Sequence, residues 1–304
     1  MKHVACTCVT VLLAGLVGAG TARGEDISGV ISSTKFITED SRLVGNVTCT
    51  TTTEPCIDLA ANFITLRLNG FTITGPADPE GAMCNATSGL PMADGIRINN
   101  FTHVNILGPG MVQRFRRHGI LVVGSGSSGS LETRSRIRIR GVTSHHNCFS
   151  GLLTNGMTYS VIEEIVSVRN GINSTGAPCG GSCLVNSYNN VIRRNIFGGN
   201  GSIANNNNDF GVGLINLSSG NLIEENTITG NTNGVLIQAG AQSNTIRLNV
   251  MAGNPPVQVT KDHGVFIGAD IKDEAGSNGE RNTFDRNWCL TYLGPGPSPC
   301  ATFP

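Results

Sequence analysis

The chain writes one phrase twice, and the repetition constrains its fold more than any other feature. "NLIEENTITGN" runs from Asn221 to Asn231, and "NTIRLNVMAGN" runs from Asn244 to Asn254, 23 residues further on. Asparagines and an isoleucine keep their places between the copies, while an acid in one becomes a base in the other. "NVIRRNIFGGN" starts at Asn190 and "NTFDRNWCL" at Asn282, with looser versions from Ser160 and Ser135. A second phrase, Gly followed by a branched apolar residue, alternates with the first at Gly95, Gly119, Gly151, Gly171, Gly211, Gly234 and Gly264. A unit of roughly 20 to 25 residues made of short β-type runs and Gly/Asn turns cannot bury its apolar side alone, so it must stack on its copies. The fixed leucines of a leucine-rich repeat are absent, which leaves a coil of parallel strands.

In such a coil the rungs lie about 4.8 Å apart and equivalent residues touch. Asn195, Asn226, Asn249 and Asn287 are then predicted to form a ladder at a corner, because Asn tolerates left-handed backbone and can hydrogen-bond its own copies. Ile192, Ile223, Ile246 and Phe284 are predicted to stack inward. The residues two before the corner, Arg138, Glu163, Arg193, Glu224, Arg247 and Asp285, alternate in sign. They read as a solvated charge ladder that holds register, since opposite charges on adjacent strands attract.

"IDLAANFITLRLNGFTITGP" (Ile57 to Pro76), followed by the stacked NxIxxN phrases, resembles the secreted right-handed parallel β-helix repeat proteins of the pectin-lyase-like superfamily. The resemblance covers nearly the whole mature chain. It implies an all-β fold, a single-stranded right-handed parallel β-helix of roughly nine or ten rungs. The expected divisions are a signal peptide over 1–22, an N-terminal cap over 23–56, the β-helix over 57–288 and a disulfide-closed C-terminal tail over 289–304. This scaffold hosts polysaccharide lyases, glycoside hydrolases, epimerases, adhesins and periplasmic proteins of copper-enzyme maturation, so it fixes architecture and leaves chemistry open.

Composition narrows the partners. Lys+Arg and Asp+Glu balance at 21 each, which removes the electrostatic case for a nucleic-acid partner. No internal run reaches the ~18 to 20 apolar residues of a membrane span. Lys2 and His3, the apolar "VLLAGLVGAG" and small residues up to Ala22 read as a secretory signal peptide, which implies a secreted protein, extracellular or periplasmic. Cys6 and Cys8 leave with it. The remaining cysteines are Cys49, Cys56, Cys84, Cys148, Cys179, Cys183, Cys289 and Cys300, an even set suited to disulfides in an oxidising compartment. Short spacing favours Cys49 with Cys56, Cys179 with Cys183 and Cys289 with Cys300, leaving Cys84 and Cys148 by elimination. Sequence alone does not decide the connectivity. Paired C-x2-C spacing for zinc is missing, and neither a metal nor a cofactor is expected.

Insertions mark where a solenoid can bind, because a regular rung has no use for them. "GSGSSGSLETRS", "APCGGSC" and "IKDEAGSNGE" follow Gly119, Gly171 and Gly264 and are expected at one corner, with "GSIANNNND" and "NPPVQVTKDH" at the corner after the Asn ladder. "QRFRRHG" supplies Arg114, Arg116, Arg117 and His118; the next rung supplies His145 and His146, and Arg169 follows. Arginine forks match carboxylates and histidine moves protons near neutral pH, so this basic group would suit an acidic sugar polymer. Asp209 and Asp262 are weaker carboxylate candidates, two before their glycines and about 10 Å apart by rung spacing, near the spread of an inverting glycosidase. Asp94, His118 and Ser150 precede successive glycines, but such a column is not a nucleophilic triad. His145 and His146, if extended, would point to opposite faces. The catalytic motif sets of polygalacturonases, epimerases and pectin or pectate lyases are absent. The expectation is a glycan-binding scaffold, with a lyase, hydrolase or epimerase as the alternative and a copper-maturation type protein as the second.

Overall fold

The computed structural model describes residues 24–77, 93–124, 134–171, 180–201, 210–254, 268–275 and 282–301, with backbone alone for 259–261 and 264–266. Short strands, most of three or four residues, alternate with turns, and no helix occurs among the described residues. Each turn visits three faces. The first includes Val161–Glu163, Val191–Arg193, Leu222–Glu224, Thr245–Arg247 and Thr283–Asp285, in parallel register. The second includes Val166–Val168, Ile196–Gly198, Thr227–Thr229, Val250–Ala252 and Asn287–Cys289. The long strands Ser41–Cys49, Asn105–Gln113 and Arg138–His145 run through both faces and join them into one 17-stranded sheet. The third face is a separate ten-stranded parallel sheet. Parallel pairing begins with Glu25–Ile31 on Ser41–Cys49 and ends with Asn287–Cys289 on Cys300–Ala301, so it extends into both segments expected as cap and tail.

The core follows from the repeat. Ile106, Ile139, Ile162, Ile192, Ile223, Ile246 and Phe284 are register partners in one inward column. The isoleucines are fully buried, while Phe284, at the open end, is only partly so. Burying each such side chain stabilises by about 1.5 to 3 kcal/mol relative to exposure, and every rung repeats the gain.

Corners need left-handed backbone followed by a group that satisfies the next rung. Glu164, Arg194, Glu225, Leu248 and Arg286 all have φ between 48 and 56°. Asn195, Asn226, Asn249 and Asn287 follow the last four, each amide donating to the next side-chain oxygen at 2.9 to 3.0 Å. The predicted ladder is therefore present. Two more accompany it: Asn190, Asn221, Asn244 and Asn282 at the third corner, and Asn147, Asn170, Asn200, Asn231 and Asn254 at the second. Asn226 shows why asparagine is used. Its oxygen accepts from the backbone and side chain of Asn195, while its nitrogen donates to Ile192 O and Asn249. Every hydrogen-bonding group of a buried amide is thereby satisfied.

The structure corrects three expectations. Arg140, not Arg138, lies opposite Glu163, because Arg138–His145 is longer than its neighbours and pairs Ile139 with Ile162. Arg138 still reaches Glu163, with Nε at 3.0 Å from Oε1. The charge ladder is also less solvated than expected: Glu163 and Glu224 are buried at 1% and 8% exposure under the arginine stems. Desolvation pushes the Glu163 carboxyl up, but hydrogen bonds and charge from Arg138 and Arg193 outweigh it and hold it down to about 2. Finally, Gly171 and Gly264 do not open rungs. Ser182–Val185 and Ile271–Asp273 carry the register, so Gly181 and Asp270 hold those places. In chain order residues 172–179 consequently come before the third-face strand Ser182–Val185, whereas 125–133 and 276–281 come after Ile120–Val123 and Ile271–Asp273.

Cys49–Cys56 and Cys289–Cys300 are disulfides, as spacing favoured. Cys148 and Cys183 are also disulfide-bonded. Cys84, Cys179 and the expected signal peptide lie outside the described residues.

Candidate functional site

Between the second and third faces the chain turns through Arg114, His146 and Arg169 on three successive rungs, with φ of 59, 52 and 55°. Register fixes this column, since Gln113, His145 and Val168 are partners immediately before it. Further along, the same corner is made by Gly199, Gly230 and Gly253, also left-handed. Glycine is the residue this backbone favours, so three long polar side chains in its place are a departure from the turn's own preference. Arg114 and Arg169 are exposed and His146 is half-buried.

The left-handed turn corrects the expectation for the histidine pair. His146 swings back, so its ring meets that of His145 edge-on at 4.7 Å between centroids, and the two Nδ1 atoms are in contact. Nε2 of His145 lies 2.8 Å from Met111 Sδ. Burial first, then the charges of His146, Arg114 and Arg169, push the His145 pKa down. Arg114, His145, His146 and Arg169 are thus one electrostatic group.

The remaining members of the predicted patch lie deeper. Arg116 is buried at 9% exposure and His118 at 3%. Burial, with help from Arg117, pushes His118 down to about 3, so it is neutral near pH 7 and adds no charge to the patch. Its Nδ1 is buried with no hydrogen-bond partner. Arg117 Nη1 sits 3.6 Å from Asp94 Oδ2, and the His118 backbone N–H donates to Asp94 Oδ1 at 3.2 Å. Burial raises the Asp94 carboxyl to about 6, against the opposing pull of Arg117, the His118 N–H and Arg97. Asp94, His118 and Ser150 do occupy successive rungs, as the backbone bonds from Gly95 to His118 and from Gly119 to Ser150 show. Ser150 Oγ, however, has no hydrogen-bond partner, so no serine–histidine hydrogen bond exists. Asp209 and Asp262 lie outside the described residues.

The outer side of the third face adds residues that the sequence reading passed over. Phe36, Asp58 and Arg97 are register partners on consecutive rungs. Phe36 is 61% exposed and Asp58 5%. Arg97 binds Asp58 Oδ2 through Nε at 3.1 Å and Nη2 at 2.5 Å, while Asp58 Oδ1 is buried with no partner. The available signal was "KFI", "IDL" and "IRI", three aligned strands with a non-aliphatic residue between inward apolar ones. Among the described residues no group of three or more His, Cys, Asp or Glu side chains is placed to hold a metal ion.

No known family model and no curated protein matches the sequence. Solved structures do match. The Dettilon tailspike protein is 15% identical with a TM-score of 0.56, over 86% of this chain and 54% of its own. Tailspike protein 2 of Escherichia coli O157:H7 bacteriophage CAB120 is 12% identical with a TM-score of 0.49, over 89% of this chain and 35% of its own. A mannuronan C-5 epimerase A-module from Azotobacter vinelandii is 14% identical with a TM-score of 0.49, over 88% of this chain and 84% of its own. The chain spans about half the length of the Dettilon tailspike. At such identities the likeness is one of fold, and the fold is a right-handed parallel β-helix.

Proposed function

We propose that this protein is a secreted β-helix that binds acidic polysaccharide along the corner formed by Arg114, His146 and Arg169. The two exposed arginines, Arg114 and Arg169, on either side of His146 at one left-handed corner carry the reading. Two rungs, or about 10 Å, apart, they present positive groups to a polymer with repeated negative ones. Disulfides at both ends of the coil support an oxidising, extracytoplasmic location. The tailspike and epimerase likenesses support the choice of scaffold alone.

Retention on immobilised polygalacturonate or alginate at rising salt tests the proposal. The wild type is expected to be retained at low salt and released as salt screens the contacts. Combined Arg114→Ala and Arg169→Ala should abolish retention with little change in Tm, because both side chains are exposed. Arg116 is unsuitable for this test, since truncating a buried side chain would also affect stability. A wild type that shows no salt-sensitive retention on either polymer overturns the reading. A catalytic alternative has one supporting observation, the raised carboxyl of Asp94 beside Arg117. Release of unsaturated or reducing ends from the same polymers, lost in Asp94→Asn, would establish it.

A further inference from the structure

The basic corner does not exhaust the polar groups on this side of the coil. Phe36, Asp58 and Arg97 stack on three consecutive rungs at the start of the third face. Arg97 also connects this column to the corner, because its charge acts on Asp94, which Arg117 contacts. An exposed aromatic ring beside a buried carboxylate is an unusual use of surface. Phe36 leaves 61% of its area in water, although its strand neighbour Ile37 is fully buried in the core. Asp58 is ion-paired through Oδ2 alone, and its other oxygen lacks a donor. Arg97 Nη1 lies 4.0 Å from Glu54 Oε2.

A pyranose ring has an apolar C–H face, hydroxyl donors at its edge and, in a uronic acid, a carboxylate. Two of these features have counterparts here: the apolar face matches the exposed Phe36 ring, and the carboxylate matches the Arg97 guanidinium that Asp58 Oδ2 holds in place. We propose that Phe36, Asp58 and Arg97 form a sugar-stacking subsite for one uronic-acid ring of the polysaccharide held at the Arg114–Arg169 corner. The inference rests on the acidic-glycan reading and adds to it an aromatic stack on Phe36 whose strength does not depend on salt.

Calorimetric titration of the full chain with galacturonate and mannuronate oligosaccharides, at low and high salt, tests it. The Phe36→Ala variant is expected to bind about tenfold more weakly at both salt concentrations, the loss of one aromatic stack. Its Tm should hold, because Phe36 is exposed. The Arg114→Ala, Arg169→Ala double variant should instead lose the salt-sensitive part of binding. Arg97→Gln gives a second measure, with weakened preference for uronate over the matching neutral oligosaccharide. Wild-type affinity in Phe36→Ala, alongside a loss in the double variant, overturns the subsite and leaves the corner reading intact. Absence of binding by the wild type overturns both.

Discussion

Asp94 and His118 stand on adjacent rungs with opposite proton preferences, and the pair makes a specific demand on stability. Burial raises Asp94 from 3.8 to about 6 and lowers His118 from 6.5 to about 3. A raised carboxyl contributes stability that is full below its unfolded value and is lost as pH rises through about 6. A depressed imidazole contributes stability that is present above 6.5 and is lost as pH falls towards about 3. Between about pH 4.5 and 6 the folded chain holds the proton on Asp94 and the unfolded chain holds it on histidine. The two slopes, each at most about 1.4 kcal/mol per pH unit, oppose one another. Chemical denaturation across this range should show a shallow wild-type profile. Asp94→Asn should reveal the histidine slope, with stability falling as pH drops from 6.5. His118→Gln should reveal the opposite one, with stability rising as pH drops from about 6. Parallel profiles in the two variants would mean that the groups are not buried as described. The depths of Asp94 and His118 were not legible in the sequence, because "RFRRHG" gives no sign of which of its side chains turns inward at a corner.

At the level of the element, the ladders do what the strands cannot. A three-residue strand supplies few backbone bonds, and the corner beside it leaves peptide groups that would be buried and unpaired. Asn226 closes that gap with four bonds, to Asn195 twice, Ile192 and Asn249. Asn226→Ala should lower stability by about 2 to 4 kcal/mol, since it removes bonds on two rungs and leaves a buried N–H without an acceptor. Asn226→Asp sets a buried carboxylate oxygen against two acceptors, Ile192 O and Asn249 Oδ1, so at neutral pH it should be at least as destabilising as alanine. Urea unfolding monitored by circular dichroism measures both. This level was the most readable from sequence, because the stacked isoleucines and the ladder from Asn195 to Asn287 follow from aligned phrases alone. Asparagines at 190, 195 and 200 recur at equal steps in the next two copies, and that spacing encodes the other two ladders. The misplaced rungs at Gly171 and Gly264 have a physical cause. A corner glycine such as Gly171, or one that opens an antiparallel pair such as Gly264, looks like a rung-opening glycine in sequence, and only the partner strand distinguishes them.

For the molecule as a whole, the ends are the weak points, because a terminal rung has a neighbour on one side only. Cys49–Cys56 and Cys289–Cys300 lie close to those ends, with sequence separations of 7 and 11. Each is worth about 2 to 3 kcal/mol in loop-closure entropy. Hydrogen exchange under reducing conditions should therefore lose protection first in Glu25–Ile31 and Cys300–Ala301, while Val191–Arg193 and Leu222–Glu224 stay protected. Simultaneous loss everywhere would show that the coil melts as a single unit. The second-corner ladder also closes differently from the other two. Its last place is taken by Asp270, whose Oδ1 accepts from Asn254 and whose Oδ2 accepts from the backbone of Leu290 and Thr291. A carboxylate has no N–H to pass on, so this ladder ends where an acid replaces the amide, while the other two end on Asn282 and Asn287. One oxygen in place of a nitrogen thus turns a relay into a clasp: Asp270 takes bonds from the rung before and the rung after, and the coil runs on to Cys300–Ala301.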